Sequence, residues 1–169
     1  QLWQTDFTYL KITGWGWYYL STVLDDFSRY IVAWRLGPTM GASDVTATLD
    51  QALATSGLDH ITVMPRPRLL SDNGSSYVAD DLATWLRGKD MQHVRGAPYH
   101  PQTQGKIERW HRILKEDCIR PGTPLCPEDA QRIVARFVEH YDTVRLHSAI
   151  GYLTPKDKLD GREKEIFDA

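Results

Sequence analysis

Leu2-Trp3-Gln4-Thr5-Asp6-Phe7-Thr8-Tyr9-Leu10-Lys11 decides how the fold is read. Aromatic and threonine side chains dominate it, and such residues fit a pleated, half-buried surface. A strand is expected over residues 2–11. Thr13-Gly14-Trp15-Gly16 then turns the chain. Trp17 to Leu24 forms a second strand, apolar enough to be buried on both faces. Asp25-Asp26-Phe27-Ser28 turns it again, and Tyr30 to Leu36 is a third strand. Three strands on short turns make an antiparallel meander. Asp6 alone disagrees with its strand, because a carboxylate among apolar groups is costly unless it is paired, hydrogen-bonded or metal-bound.

Outward from the meander the period changes. Val45, Leu49 and Leu53 recur every four residues, which predicts a helix over about 44–55 with Ser43 as its N-cap. Arg68-Leu69-Leu70-Ser71 is a short strand. Val78, Leu82, Trp85 and Leu86 share one face of a helix from Val78 to Lys89. Gln92 to Arg95 is a further short strand, and residues 96–105, with two Pro and two Gly, are a loop. A helix runs from Lys106 to about Ile119. Pro121 to Pro127 breaks it, and Pro127 starts a last long helix to about Tyr141. The order βββ-α-β-α-β-α-α is α/β, with a mixed five-stranded sheet flanked by helices. Ligands of such sheets sit at the carboxyl ends of the strands.

The 169 residues fit one domain, able to bury roughly 70% of its unfolded surface. No run approaches ~18 apolar residues, so no membrane span is expected. Cys118 and Cys126 are too few for a disulfide framework, which points to a reducing compartment. Gln1 is not an initiator, and a piece of a longer protein is expected. The net charge of −2 excludes a strongly basic chain. Its distribution is uneven: residues 61–112 hold eight basic against five acidic side chains, whereas residues 1–60 hold three against six. Such a middle segment permits a surface that faces a polyanion.

Two further acids stand out. Asp72 ends an apolar strand and precedes Asn73-Gly74, and Glu108 begins a helix. Singly, these are an ordinary turn and an i,i+4 partner for Arg112. Jointly, they are separated by 35 intervening residues, with a Pro-Gln-Thr-Gln-Gly loop before Glu108. That spacing resembles the D,D-35-E pattern of retroviral-type integrases and insertion-sequence transposases. Trp3 to Tyr9 resembles the W-x-T-D-x-T-Y of that family, and Leu24 to Arg29 with Ile31-Val32 its L-D-x-F-S-R-x-I-V. Ser71 to Tyr77 resembles S-D-N-G-x-x-[YF], and Pro98 to Arg109 resembles P-x-x-P-Q-x-Q-G-x-x-E-R. Tyr141 to His147, then Thr154-Pro155, is similar to Y-N-x-x-R-x-H…T-P, with Asp142 in place of the usual Asn.

The resemblance covers about residues 3–155. It implies a ribonuclease-H-like catalytic core over residues 1–155, followed by a charged tail over 156–169. It implies Asp6, Asp72 and Glu108 as catalytic residues and metal ligands. It further implies Mg²⁺ or Mn²⁺, two ions when DNA is bound, and DNA cleavage and strand transfer by in-line phosphoryl transfer. DNA ends and target DNA, a homodimer or larger assembly, and a bacterial cytoplasm are the expected partners and setting. The alternatives are an inactive nucleic-acid-binding module of this fold and a metal-dependent nuclease acting on RNA–DNA hybrids.

Secondary candidates follow from position. His100, Gln102 and Gln104 in the loop, and Lys106, Arg109, Arg112 and Lys115 along one helix track, are expected DNA contacts. Asp25 reads as a turn residue, and Tyr77 and Tyr99 as core residues rather than base-stacking ones. His111, Cys118, Cys126 and His140 match no zinc spacing. The loop over 96–105 is expected to be mobile, with the first turn of the Glu108 helix fraying.

Overall fold

In a computed structural model, residues 1–58, 66–96 and 104–168 are described. β1 (Leu2–Ile12), β2 (Gly16–Asp25) and β3 (Ile31–Gly37) form the expected meander. After α1 (Ala42–Ser56) come β4 (Arg68–Ser71), α2 (Ser75–Val78), α3 (Asp80–Gly88) and β5 (His93–Arg95). The sheet order is β3-β2-β1-β4-β5. β1 pairs antiparallel with β2 and parallel with β4, so the strand carrying Asp6 is central. Mixed pairing is what a meander followed by helical crossovers requires.

Helices cover both faces. Trp3, Val23, Leu49, Leu53, Leu69, Leu82 and Leu86 form one core layer beneath α1 and α3. Leu20, Leu24, Ile107, Trp110, Leu114, Val134 and Val138 form the other, beneath α4 (Gly105–Leu114) and α6 (Pro127–Thr143). Trp110 is fully buried, with its ring centroid 5.8 Å from that of Phe137 and 4.7 Å from that of Tyr141. Side chains alternate along a strand. Trp3 and Phe7 therefore point to the α1 layer, and Gln4 and Asp6 to α4.

Several helix ends differ from expectation. Gly41, not Ser43, caps α1: the Asp44 carboxylate accepts from Gly41 N at 2.9 Å and from Thr39 Oγ1 at 2.7 Å. The helix predicted from Val78 is split, because Ala79 is extended; Val78 is left exposed. The helix predicted to Ile119 is α-helical only to Leu114. A π-helical turn, Lys115–Ile119, follows, and α5 (Arg120–Gly122) carries Pro121. Pro121 has no N–H for the ladder, and its ring would crowd the carbonyl four residues back, so the ladder widens before it. The segment read as a charged tail holds two short helices, α7 (Pro155–Leu159) and α8 (Glu163–Phe167). Thr154 caps α7 through Asp157 N, and Lys158 Nζ lies 4.4 Å from the Phe27 ring centroid. No helix of the described residues is long and apolar enough to cross a membrane.

Asp142 ties α6 to the sheet by accepting from Ile31 N at 2.8 Å. Burial pushes its carboxyl up to about 8. A carboxyl group raised in the folded state makes the native chain bind the extra proton between about 3.8 and 8, so stability falls as pH rises through that window. Asp142→Asn keeps an acceptor without the charge. Thermal melts should show the variant level with the parent near pH 4 and more stable by several degrees at pH 9. A parent as stable as the variant at pH 9 would refute the assignment.

Candidate active site

The register builds the site. Gln4 stands opposite Leu70 in the parallel β1–β4 pair; Asp6 lies two residues further along β1 and Asp72 directly follows β4, near enough for its charge to raise the Asp6 carboxyl. Asp6 Oδ1 accepts from Phe7 N at 2.9 Å, its only charge-stabilising bond among the described residues. Burial, then the Asp72 charge, push its carboxyl up to about 7 against that bond, and Glu108 adds in the same sense. The three acids therefore act on one another electrostatically across one cleft.

Asp72 is held by its turn. Its Oδ1 accepts from Gly74 N at 2.7 Å, and Asn73 Nδ2 donates to Gly96 O at 3.1 Å. A Cβ on Gly74 would lie 2.9 Å from that same Asp72 oxygen. Glycine is needed here for close approach to a carboxylate, since its φ of −59° is open to any residue.

Glu108 is exposed near the start of α4, whose first turn is tied to the sheet by side-chain hydrogen bonds. Gln104 is buried and donates to Thr5 O at 3.1 Å and Leu70 O at 3.4 Å; Gln4 Oε1 accepts from Ile107 N at 3.2 Å. These bonds tie the first turn to β1 and β4, the strands that carry the two Asp. They also turn the Gln104 amide inward, into a structural position instead of the expected DNA contact. His100, Gln102 and Tyr99 lie outside the described residues, as does most of the loop expected to be mobile.

Two polar groups beside Asp6 were not legible as site residues. His111 Nδ1 lies 4.0 Å from Asp6 Oδ2, and burial drives the imidazole down to about 3. A ring neutral at ordinary pH gives Asp6 no compensating charge, and its Nε2 has no partner among the described residues. The Tyr77 hydroxyl is likewise buried without a partner, and burial and then the Asp6 charge hold its pKa well above 10. Tyr77 packs against Phe7, centroids 6.0 Å apart, as the core reading expected. Asp25 is a turn acid: one oxygen accepts from Ser28 N at 2.9 Å and Ser28 Oγ at 2.6 Å. Cys126 accepts from Asp129 N as the α6 cap.

Among the described residues no three His, Cys, Asp or Glu side chains stand close enough together to hold an ion. The chemistry of Asp6 and Asp72 nonetheless fits one. They offer hard carboxylate oxygens, which Mg²⁺ takes while keeping positions for water and phosphate. Their mutual repulsion is unrelieved by any cationic side chain at Asp6. The basic residues expected on one track divide. Lys106 Nζ pairs with Asp26 Oδ2 at 3.0 Å, and Arg109 turns to the same side of the helix. Lys115 Nζ lies 4.5 Å from the Tyr9 ring centroid, and Arg112 is exposed on the Glu108 side.

Two family profiles, both described as "Integrase core domain", match residues 1–101 and 89–155. The transposase of insertion sequence element IS904 from Lactococcus lactis is 29% identical over 160 residues, covering 93% of this chain and 60% of that protein. Transposase InsF of insertion sequence IS3A from Escherichia coli is also 29% identical, over 92% of this chain and 52% of its own length. The chain thus spans between half and two thirds of these relatives. The catalytic core domain of BIV integrase superposes with a TM-score of 0.69 at 25% identity, covering 98% and 97% of the two chains. The HTLV-2 integrase catalytic core domain in complex with magnesium, in its dimeric form, superposes at 0.68 and 16% identity, over 92% and 93%. The fold is therefore ribonuclease-H-like, as expected.

Two outcomes test the site. Gly74→Ala should leave the unfolding midpoint within about 1 kcal/mol of the parent while displacing the Asp72 carboxylate; Mg²⁺ titration by calorimetry should then weaken, and unchanged affinity would count against the Gly74–Asp72 turn as a support. In chelator, Asp6→Asn should be more stable than the parent at pH 8 and equal to it near pH 4, because a raised carboxyl loses stability between about 3.8 and 7. Destabilisation at pH 8 would show that the carboxylate is structurally paired.

Proposed function

The chain belongs to the integrase core domain family, and from that premise we propose that it is the catalytic core of a transposase, cutting DNA at element ends and joining the 3′-ends to target DNA. The observation that supports this best is electrostatic: Asp6 sits half-buried on the central strand, its pKa raised by desolvation and then by the charges of Asp72 and Glu108. A structural carboxylate would have a cation or several donors; this one has a single backbone N–H among the described residues.

Asp6, Asp72 and Glu108 are the proposed metal ligands. Bound Mg²⁺ or Mn²⁺, two ions once DNA is present, would supply activation of the attacking oxygen and stabilisation of the leaving 3′-oxygen. The chain's own part is positional. β1 and β4 hold Asp6 and Asp72 in parallel register, and the Gln4–Ile107 and Gln104–Thr5 bonds hold the helix of Glu108 against them. Neutral His111 beside Asp6 adds no positive charge to the cleft. His100, Gln102, Arg112 and Lys115 remain proposed DNA contacts. DNA is the proposed substrate, and a dimer or larger assembly the proposed working form. The bacterial cytoplasm is the proposed setting. The intact trio of carboxylates favours an active enzyme over an inactive binding module.

Asp6→Asn, Asp72→Asn and Glu108→Gln should each reduce Mg²⁺-dependent strand transfer by at least about a thousandfold, with circular dichroism unchanged. Gel assays on an oligonucleotide carrying the element end read the products. Near-parental joining by any one variant removes that residue from the ligand set.

A further inference from the structure

Two segments matched to the family have no role at the carboxylates: Phe27-Ser28-Arg29 and Tyr141 to His147. The structure brings them together. A cavity of about 550 Å³ is lined by Arg29, Lys106, Arg109, Tyr141, Arg145 and His147, and no carboxylate among the described residues lines it. Arg29, Arg109 and Arg145 all line it around Tyr141; burial and then Asp142 raise that hydroxyl to about 12, and the three guanidiniums oppose the rise.

Helix geometry separates this cavity from the catalytic cleft. At 3.6 residues per turn, Lys106, Arg109 and Ile113 form one stripe of α4, and Glu108, Arg112 and Lys115 another, roughly a third of a turn away. Ile107, Trp110 and Leu114 fill the third, buried stripe. Within the cavity two cations are partly satisfied: Lys106 by Asp26 at 3.0 Å and Arg145 by Asp117 at 3.0 Å. Arg29 and Arg109 have no carboxylate partner among the described residues. Arg29 also holds a left-handed backbone, φ +68°, a conformation that costs a non-glycine residue about 1–2 kcal/mol. Its Nη1 donates to Asp26 O and its own N–H to Asp25 O at 2.8 Å, which hold it there.

We propose that this cavity seats a backbone phosphate of duplex DNA, held by Arg29, Arg109 and Arg145, on a face distinct from the one that does chemistry. The choice of DNA as the source of the phosphate rests on the strand-transfer reading. The planar guanidinium fork matches a phosphate's oxygens in a way an ammonium does not. Phosphate contacts of this kind fix register and orientation without reading sequence. Because Arg109 and Glu108 are adjacent on one rigid helix, a strand seated here is set in a fixed relation to the cleft. The requirement for a local seat is sharpened by the chain's net charge of −2, which offers DNA no general attraction.

The test is anisotropy titration of the 169-residue chain against a fluorescein-labelled random-sequence duplex, in Mg²⁺, over a NaCl series. Arg109→Gln and Arg145→Gln should each weaken binding about tenfold, and each should flatten the slope of log K against log salt by about 1. Arg132→Gln, a surface cation paired with Asp129 on α6, should change neither. Where loss of the Asp117 pair lowers the melting temperature of Arg145→Gln, exposed Arg109 decides alone. Parental affinity and slope in Arg109→Gln overturn the proposal, as does the absence of duplex binding by the parent, or a cavity that takes polyglutamate and not DNA. Arg109-dependent binding without Mg²⁺-dependent cleavage upholds the phosphate seat and overturns only strand transfer. Intact cleavage with binding indifferent to Arg109 does the reverse.

Discussion

A carboxylate held at the centre of a sheet without a counter-charge is the constraint on which this structure depends. β1 is flanked by β2 and β4, so Asp6 has no edge from which to reach water freely. Desolvation and the neighbouring Asp72 both oppose its ionisation. The nearby imidazole of His111, its Nδ1 4.0 Å away, is too buried to take up a second proton and become a counter-charge. A sequence optimised for stability alone would place an apolar or amide side chain at this point. Keeping the acid leaves the cleft short of positive charge, which is the electrostatic condition a cation-dependent active site needs before it is loaded.

The supporting bonds are polar for a related reason. Gln4 and Gln104 are buried amides, and each reaches backbone of another element: Gln4 to Ile107 N, Gln104 to Thr5 O and Leu70 O. Leucines at these points would bury more apolar area but permit α4 to slide along the sheet. A hydrogen-bonded amide in a low-dielectric interior has one good position and a steep cost away from it. The helix bearing Glu108 is thereby fixed to the two strands bearing Asp6 and Asp72. Packing by Ile107, Trp110 and Leu114 then supplies the bulk of the attraction.

Much of this was legible because it is carried by local pattern. The meander followed from aromatic and β-branched runs between Gly and Asp turns, and the mixed sheet from the change of period after Leu36. Asp6 announced itself as the one acid in its strand. What the sequence hid depends on three-dimensional closure. Ser43 looked like a cap, but Asp44 reaches back to Gly41 N from inside the helix. Val78 fitted a helical face, yet Ala79 breaks the helix beside it. Gln104 looked like one more polar loop residue, and only the proximity of β1 and β4 reveals its amide as internal. His111 carries no pattern of its own; its position beside Asp6 comes from the crossing of α4 over β1.

The basic residues show most clearly why spacing underdetermines a surface. Lys106, Arg109, Arg112 and Lys115 step by three along the sequence, and a step of three advances about 300° around the helix axis. A series of such steps drifts, so four cations that read as one track end on two sides of α4. One side shares its field with Glu108 and Asp6, the other with Arg29 and Arg145. At physiological ionic strength screening acts over about 8 Å, comparable to the width of the helix itself. The two faces are therefore electrically separable: one side of α4 is acidic and the other basic. A chain of net charge −2 can in this way carry acidic and basic faces on one helix, because α4 stands between the two fields.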